Sequence, residues 1–163
     1  QICVGRTTTL ASNRGSIERA LVDADLVVGA VLVAGARAPI VVSEDMVRSM
    51  KPGSVIVDVA VDQGGCIATT RETTHTDPIY MQHGVVHYAV GNMPGAVPYT
   101  STYSLTNATL PYQLDVARHG ALGAVTQSEA LRHGLNTARG HITNDAVARE
   151  LNLAFVDPIT ALR

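Results

Sequence analysis

The chain has 163 residues, 46% of them hydrophobic and only 16% charged, which excludes a disordered polypeptide and allows one substantial core. A formal net charge of -2 leaves no electrostatic footprint for nucleic acid or an acidic membrane, and no apolar run approaches the roughly 20 residues that span a bilayer. Two cysteines, Cys3 and Cys66, lack metal-ligand spacing and make a poor disulfide framework, so a reducing cytoplasm is the simplest compartment. Gln1-Ile-Cys-Val4 reads as mid-chain sequence, with neither an initiating Met nor a signal peptide.

Residues 1–13 carry weak signals. From Gly15 to Asp23 the spacing of Ile17, Ala20 and Leu21 predicts a helix. The apolar, β-branched run from Asp25 to Val33 predicts a parallel strand covered on both faces. Ala34 to Pro39 form a loop. Ser43 is placed to cap a short helix with Glu44 and Asp45 in its first turn; Val47 and Met50 face inward, and Lys51-Pro-Gly53 ends it. Ser54 to Val61 predict a second strand buried on both faces, running into Asp62-Gln-Gly-Gly65. Strand, helix and strand with short connections make a βαβ unit.

Residues 66–79 are polar and threonine-rich, with a turn at Asp77-Pro78. Ile79 to Met81 and Val85 to Val90 read as a short and a longer strand. The loop Gly91-Asn-Met-Pro-Gly95 then falls on the same sheet edge as Asp62. A long helix from Thr100 to His119 contains Pro111, which predicts a kink there or two abutting helices. Gln127 to His133 form a short helix, Thr143 is placed to cap a last helix through Leu151, and Asp157-Pro158 marks a frayed end.

In an open parallel sheet, ligands collect outside the carboxyl ends of the strands. Asp62 stands at that edge, either as a carboxylate that handles a proton or orients water, or as a loop aspartate fixing a turn. Asp58, within the apolar strand, reads as a core aspartate bonded to a neighbouring loop, because a buried charge needs partners. His87 reads as a satisfied core or cofactor-adjacent side chain. Asp115 and His119 share one helix face at i, i+4 and could hold a surface cation; Arg118 beside them opposes it, and a solvated or salt-linked face is the simpler account. There is no G-x-G-x-x-G fingerprint, no zinc pattern, no nucleophile elbow and no P-loop.

Longer stretches carry more. Asp25-Leu-Val-Val-Gly-Ala-Val-Leu32, Met50-Lys-Pro-Gly-Ser-Val-Ile-Val-Asp-Val-Ala-Val-Asp-Gln-Gly-Gly65, His87-Tyr-Ala-Val-Gly-Asn-Met-Pro-Gly-Ala-Val-Pro98, Thr100-Ser-Thr-Tyr-Ser-Leu-Thr-Asn-Ala-Thr-Leu-Pro-Tyr112 and Gly140-His-Ile-Thr143 together resemble the alanine dehydrogenase family, in order and over nearly the whole chain. The resemblance implies an α/β fold: the second half of a doubly wound, Rossmann-type parallel sheet (residues 1–98, part of an NAD-binding domain), then C-terminal helices (99–163) returning to a substrate domain. It implies NAD-dependent interconversion of L-alanine with pyruvate and ammonium in a cytoplasmic homo-oligomer. Asp62 would act at substrate and nicotinamide. Val59, Ala60, Val61, Asp62, Val90, Gly91, Asn92 and Met93 would line the nicotinamide end, Val31 and Leu32 would contact the dinucleotide, and Ser12 would lie near its adenosine. At Gly91 many relatives carry alanine, and the smaller residue should be tolerated.

The same resemblance implies that a substrate domain and the glycine fingerprint precede this chain, so that the segment alone would not turn over alanine. Two other readings share the sequence: the NAD-binding part of a proton-translocating transhydrogenase, and a truncated, non-catalytic binding or oligomerisation module.

Overall fold

Each apolar run between Asp25 and Val90 yields a strand, and the strands join in one sheet. The computed structural model describes residues 5 and 7–163; Cys3 and the apolar start of the chain lie outside them. Internal contacts divide the chain into a first unit, up to Leu32 with Ala38–Gly91, and a second, Val33–Arg37 with Asn92–Arg163.

In the first unit, β1 (Leu26–Gly29), β2 (Val55–Asp58), β3 (Ile79–Gln82) and β4 (Val85–Tyr88) lie in the order β1-β2-β4-β3. β1, β2 and β4 are parallel, and β3 is antiparallel to β4. The α/β architecture expected from the sequence is present. Helix α1 (Arg14–Asp23) starts at Asn13, whose side chain accepts from Ser16 N at 2.9 Å. Helix α2 (Glu44–Arg48) starts at Ser43, whose hydroxyl accepts from Met46 N at 3.3 Å, with Glu44 and Asp45 at the positive end and Arg48 at the negative end. Leu21, Met46, Val47, Ile56, Ile67 and Val85 form the core between helices and sheet. Burying a side chain such as Ile56 contributes roughly 1.5–3 kcal/mol.

Two expectations are corrected here. β1 is not covered on both faces: Leu26 is 59% and Val28 56% exposed, so the face that carries them is open, whereas Val27, on the opposite face, packs on the core. β2 does not run to Val61. It stops at Asp58, whose carboxylate accepts the Ala60 N–H and turns the chain into a 3-10 helix over Val59–Gln63.

The second unit holds a 3-10 turn (Met93–Ala96), α3 (Pro98–Gln127), α4 (Glu129–Gly134), β5 (Thr137–Ala138), β6 (His141–Ile142), α5 (Asp145–Leu151) and α6 (Pro158–Leu162). The break in α3 falls at Gly120 (φ 66, ψ 173), not at Pro111, around which the backbone stays helical; only a residue without Cβ takes that conformation at no steric cost. Asn144, not Thr143, caps α5 by accepting from Ala146 N and Val147 N. The Thr143 hydroxyl instead donates to Leu135 O at 2.7 Å. Asp157-Pro158 is no frayed end: the Asp157 carboxylate accepts from Ile159 N and Thr160 N and starts α6. Among the described residues no helix is long and apolar enough to cross a membrane.

Candidate functional site

Because β1, β2 and β4 run parallel, their carboxyl ends share one edge, and three connections leave the sheet there. The connection after β2 is held by hydrogen bonds from its own backbone and from Asp58. Its 3-10 turn is closed by Gly64 (φ 91) and Gly65 (φ 78), whose N–H groups donate to Val61 O at 2.9 Å and Ala60 O at 3.0 Å. Glycine is required at Gly65, where a Cβ would stand 2.9 Å from Thr70 Cγ2 and 3.0 Å from Asp58 Oδ2. The turn buries Ala60 and Val61 and leaves Val59 and Asp62 exposed. A carboxylate facing outward at the carboxyl end of a parallel sheet can exchange a proton with a bound molecule or hold a water against it.

Beneath the turn lies Asp58, fully buried. Its Oδ1 accepts from Ala60 N (3.0 Å) and Cys66 Sγ (3.4 Å), and its Oδ2 from Cys66 N (2.9 Å) and Thr70 Oγ1 (2.6 Å). This is the core aspartate bonded to a neighbouring loop that the sequence predicts. Burial, reinforced by the Asp58 charge, pushes the Cys66 thiol up to about 11, so Cys66 stays a thiol and donates. The end of β1 closes against the same group.

The connection after β4 is laced to the threonine-rich loop. Thr73 N donates to Ala89 O at 2.9 Å and Gly91 N to Thr73 O at 3.1 Å. His87 is buried, with Nδ1 at 3.0 Å from Val85 O and Nε2 at 2.7 Å from Thr69 Oγ1. A carbonyl only accepts, so Nδ1 carries the proton and Nε2 accepts from the threonine hydroxyl. Burial holds the imidazole pKa down. The ring stacks on Tyr80 at 4.9 Å, and the Tyr80 hydroxyl donates to Thr69 O at 2.7 Å. His87 is thus a satisfied core residue.

The structure gathers Val59, Ala60, Val61 and Asp62 on one turn, with Val31 after β1 and Val90 and Gly91 after β4 at the same edge. Ala60, Val61 and Val90 are buried, so their side chains do not face solvent at that edge. Ser12 and Val31 line one groove of about 490 Å³, together with residues 26–30 and with Ile17 and Ala20 of α1. Leu32 is exposed beyond it. Asn92 and Met93 belong to the second unit, where Asn92 (φ 56) opens the 3-10 turn. Asp115 is half-buried and His119 exposed on α3; among the described residues no group of three His, Cys, Asp or Glu side chains could hold a metal.

Sequence reasoning missed Gly29, where a Cβ would meet Cys66 Sγ at 2.6 Å. A glycine inside an apolar strand is a signal of close approach that was there to be read.

The family model described as "Alanine dehydrogenase/PNT, C-terminal domain" matches residues 1–145. The chain is 57% identical over 156 residues to alanine dehydrogenase of Bacillus subtilis (strain 168), covering 95% of this chain and 41% of that protein. It is 56% identical over 160 residues to that of Staphylococcus saprophyticus, covering 98% and 43%. The chain therefore spans about two-fifths of the length of these relatives. A solved L-alanine dehydrogenase superposes with TM-score 0.71 at 52% identity, over 86% of this chain and 39% of that one. A transhydrogenase from Sinorhizobium meliloti gives TM-score 0.51 at 28% identity, over 56% and 26%.

Proposed function

Since the chain belongs to the alanine dehydrogenase/PNT C-terminal domain family, we propose that it works as part of an NAD-dependent L-alanine dehydrogenase. In that reaction L-alanine, NAD+ and water give pyruvate, ammonium, NADH and a proton. Residues 1–98 would belong to the NAD-binding domain and 99–163 to a helical segment returning to the substrate domain. The observation that carries the reading is Asp62, an exposed carboxylate on a glycine-closed turn at the carboxyl edge of a parallel sheet.

The residues fit a dinucleotide. The groove along β1 is lined by small and apolar residues, Gly29, Ala30 and Val31, with Ser12 at its rim. Gln63 Oε1, next to Asp62, is a buried acceptor with no hydrogen-bond partner among the described residues. Val59, Val90 and Gly91 of the first unit would meet the nicotinamide end, Val31 and Leu32 would contact the dinucleotide, and Ser12 would lie near its adenosine. When bound, NAD supplies the hydride acceptor. This chain supplies Asp62, which takes or returns a proton at the substrate amine or at the water that adds to the α-carbon once the hydride has left it.

The higher identity and TM-score with L-alanine dehydrogenase than with transhydrogenase support this substrate over the alternative. A cytoplasmic homo-oligomer goes with the reading, and the exposed Tyr99, Tyr103 and Leu105 of α3 are suited to subunit contacts. The test is NAD+ reduction by the full-length protein: formation of NADH that requires L-alanine is expected. Hydride exchange between nicotinamide nucleotides with no response to alanine would overturn it.

A further inference from the structure

The buried carboxylate under the turn has work beyond filling the core. We infer that Asp58 is a positioning residue for the proposed reaction, fixing the 3-10 turn that carries Asp62 to the loop over residues 66–70. This rests on the role proposed for Asp62.

One side chain gathers donors from three places: Ala60 N in the turn, Cys66 N and Sγ where the loop starts, and Thr70 Oγ1 further along it. Asp58 is 0% exposed, and none of the ion pairs among the described residues includes it. A core that needed only volume would not keep a carboxylate there, since burying one is costly without full hydrogen bonding. Every contact comes from a donor, and each oxygen takes two. An asparagine cannot replace it, because either orientation of its amide sets an NH2 against an N–H. Asp58 is the residue at which the strand becomes the turn, so its hydrogen bonds set where the turn leaves the sheet. Asp62 is the exposed carboxylate of that turn.

The test is steady-state kinetics of the full-length protein. Asp58→Asn should lower kcat for alanine oxidation about 10- to 100-fold, the scale of a misplaced reacting group. The KM for L-alanine and the Kd for NADH should stay within about threefold, the mark of an effect confined to the reacting geometry. Thr70→Val, which keeps the volume and loses the hydroxyl donor, should lower kcat by roughly threefold or more, and Thr70→Ser should restore it. These threonine variants decide the matter if Asp58→Asn does not fold. Wild-type kcat in both folded Asp58→Asn and Thr70→Val, with only the melting temperature lowered, would overturn the inference. Asp62→Asn separates the two ideas. If it is inactive while Asp58→Asn and Thr70→Val are unimpaired, positioning alone fails; if it keeps full turnover, the reading of Asp62 fails and the inference with it.

Discussion

Gly29→Ala adds one methyl group at the end of β1. Its carbon would stand 2.6 Å from Cys66 Sγ, 3.2 Å from Asp58 Oδ1 and 3.3 Å from Ile67 Cδ1. These three side chains are buried, so none can swing into solvent. Non-bonded heavy atoms rest at about 3.5–4.0 Å, and the sulfur must therefore retreat by roughly 1 Å into a filled core. Overpacking of this kind costs about 1–3 kcal/mol. The retreat also disturbs the Cys66 Sγ contact with Asp58 Oδ1, 3.4 Å long at rest. Gly29 has no left-handed φ, so the penalty is steric and not conformational. Thermal unfolding of the full-length protein should show a fall of roughly 2–6 °C. Cys66→Ala removes the nearest obstacle, so the double variant should be less destabilised than the sum of the singles by about 0.5–3 kcal/mol. A Gly29→Ala melting temperature equal to the parent's, or strict additivity with Cys66→Ala, would refute the reasoning.

Gly91→Ala meets a different neighbour. Its Cβ would collide with the Glu72 carboxylate, but Glu72 is exposed and flexible and swings aside; melting temperature and NADH affinity should both stay at parent values, and a large loss of either would show that Glu72 is held. For His87, burial lowers the pKa below the ordinary 6.5, so the unfolded chain takes up the proton first as pH falls. The stability is intact above about pH 6.5 and is lost as the pH drops through the depressed folded value. Melting temperature should fall between about pH 7 and pH 5, and less steeply in His87→Gln; identical slopes would contradict the assignment.

What could be read from sequence was what depends on near neighbours. Ser43 followed by Glu44 and Asp45 is a local helix start, and the two apolar runs joined by that helix placed β1 and β2 side by side. The carboxyl edge, and with it Asp62, followed. The end of β2 was not legible, because Val59, Ala60 and Val61 continue the apolar run. What stops the strand is the Asp58 side chain bonding to Ala60 N. Exposure of Leu26 and Val28 depends on what packs over that face of β1, information that the run itself does not hold. In α3, Pro111 looked like the breaker, yet Gly120 took the non-helical conformation; a glycine's freedom is used only when the surroundings ask for it. Thr143 and Asn144 are both competent caps, and the choice fell to Asn144 once Thr143 was buried against Leu135 O. The hairpin of β5 and β6 turns on Arg139 (φ 47) and Gly140 (φ 81), a favoured conformation for a two-residue turn, but strands of two residues carry no alternation to find.

Asp62→Asn in the full-length protein tests the central claim most directly. The side chain is exposed, and asparagine keeps its size while removing its charge, so the melting temperature is measured alongside turnover. If Asp62 handles the proton or the water, turnover of L-alanine should fall by about 100-fold or more while NADH binding stays within about threefold of the parent. Unchanged turnover, with the variant folded and NADH bound, would contradict it.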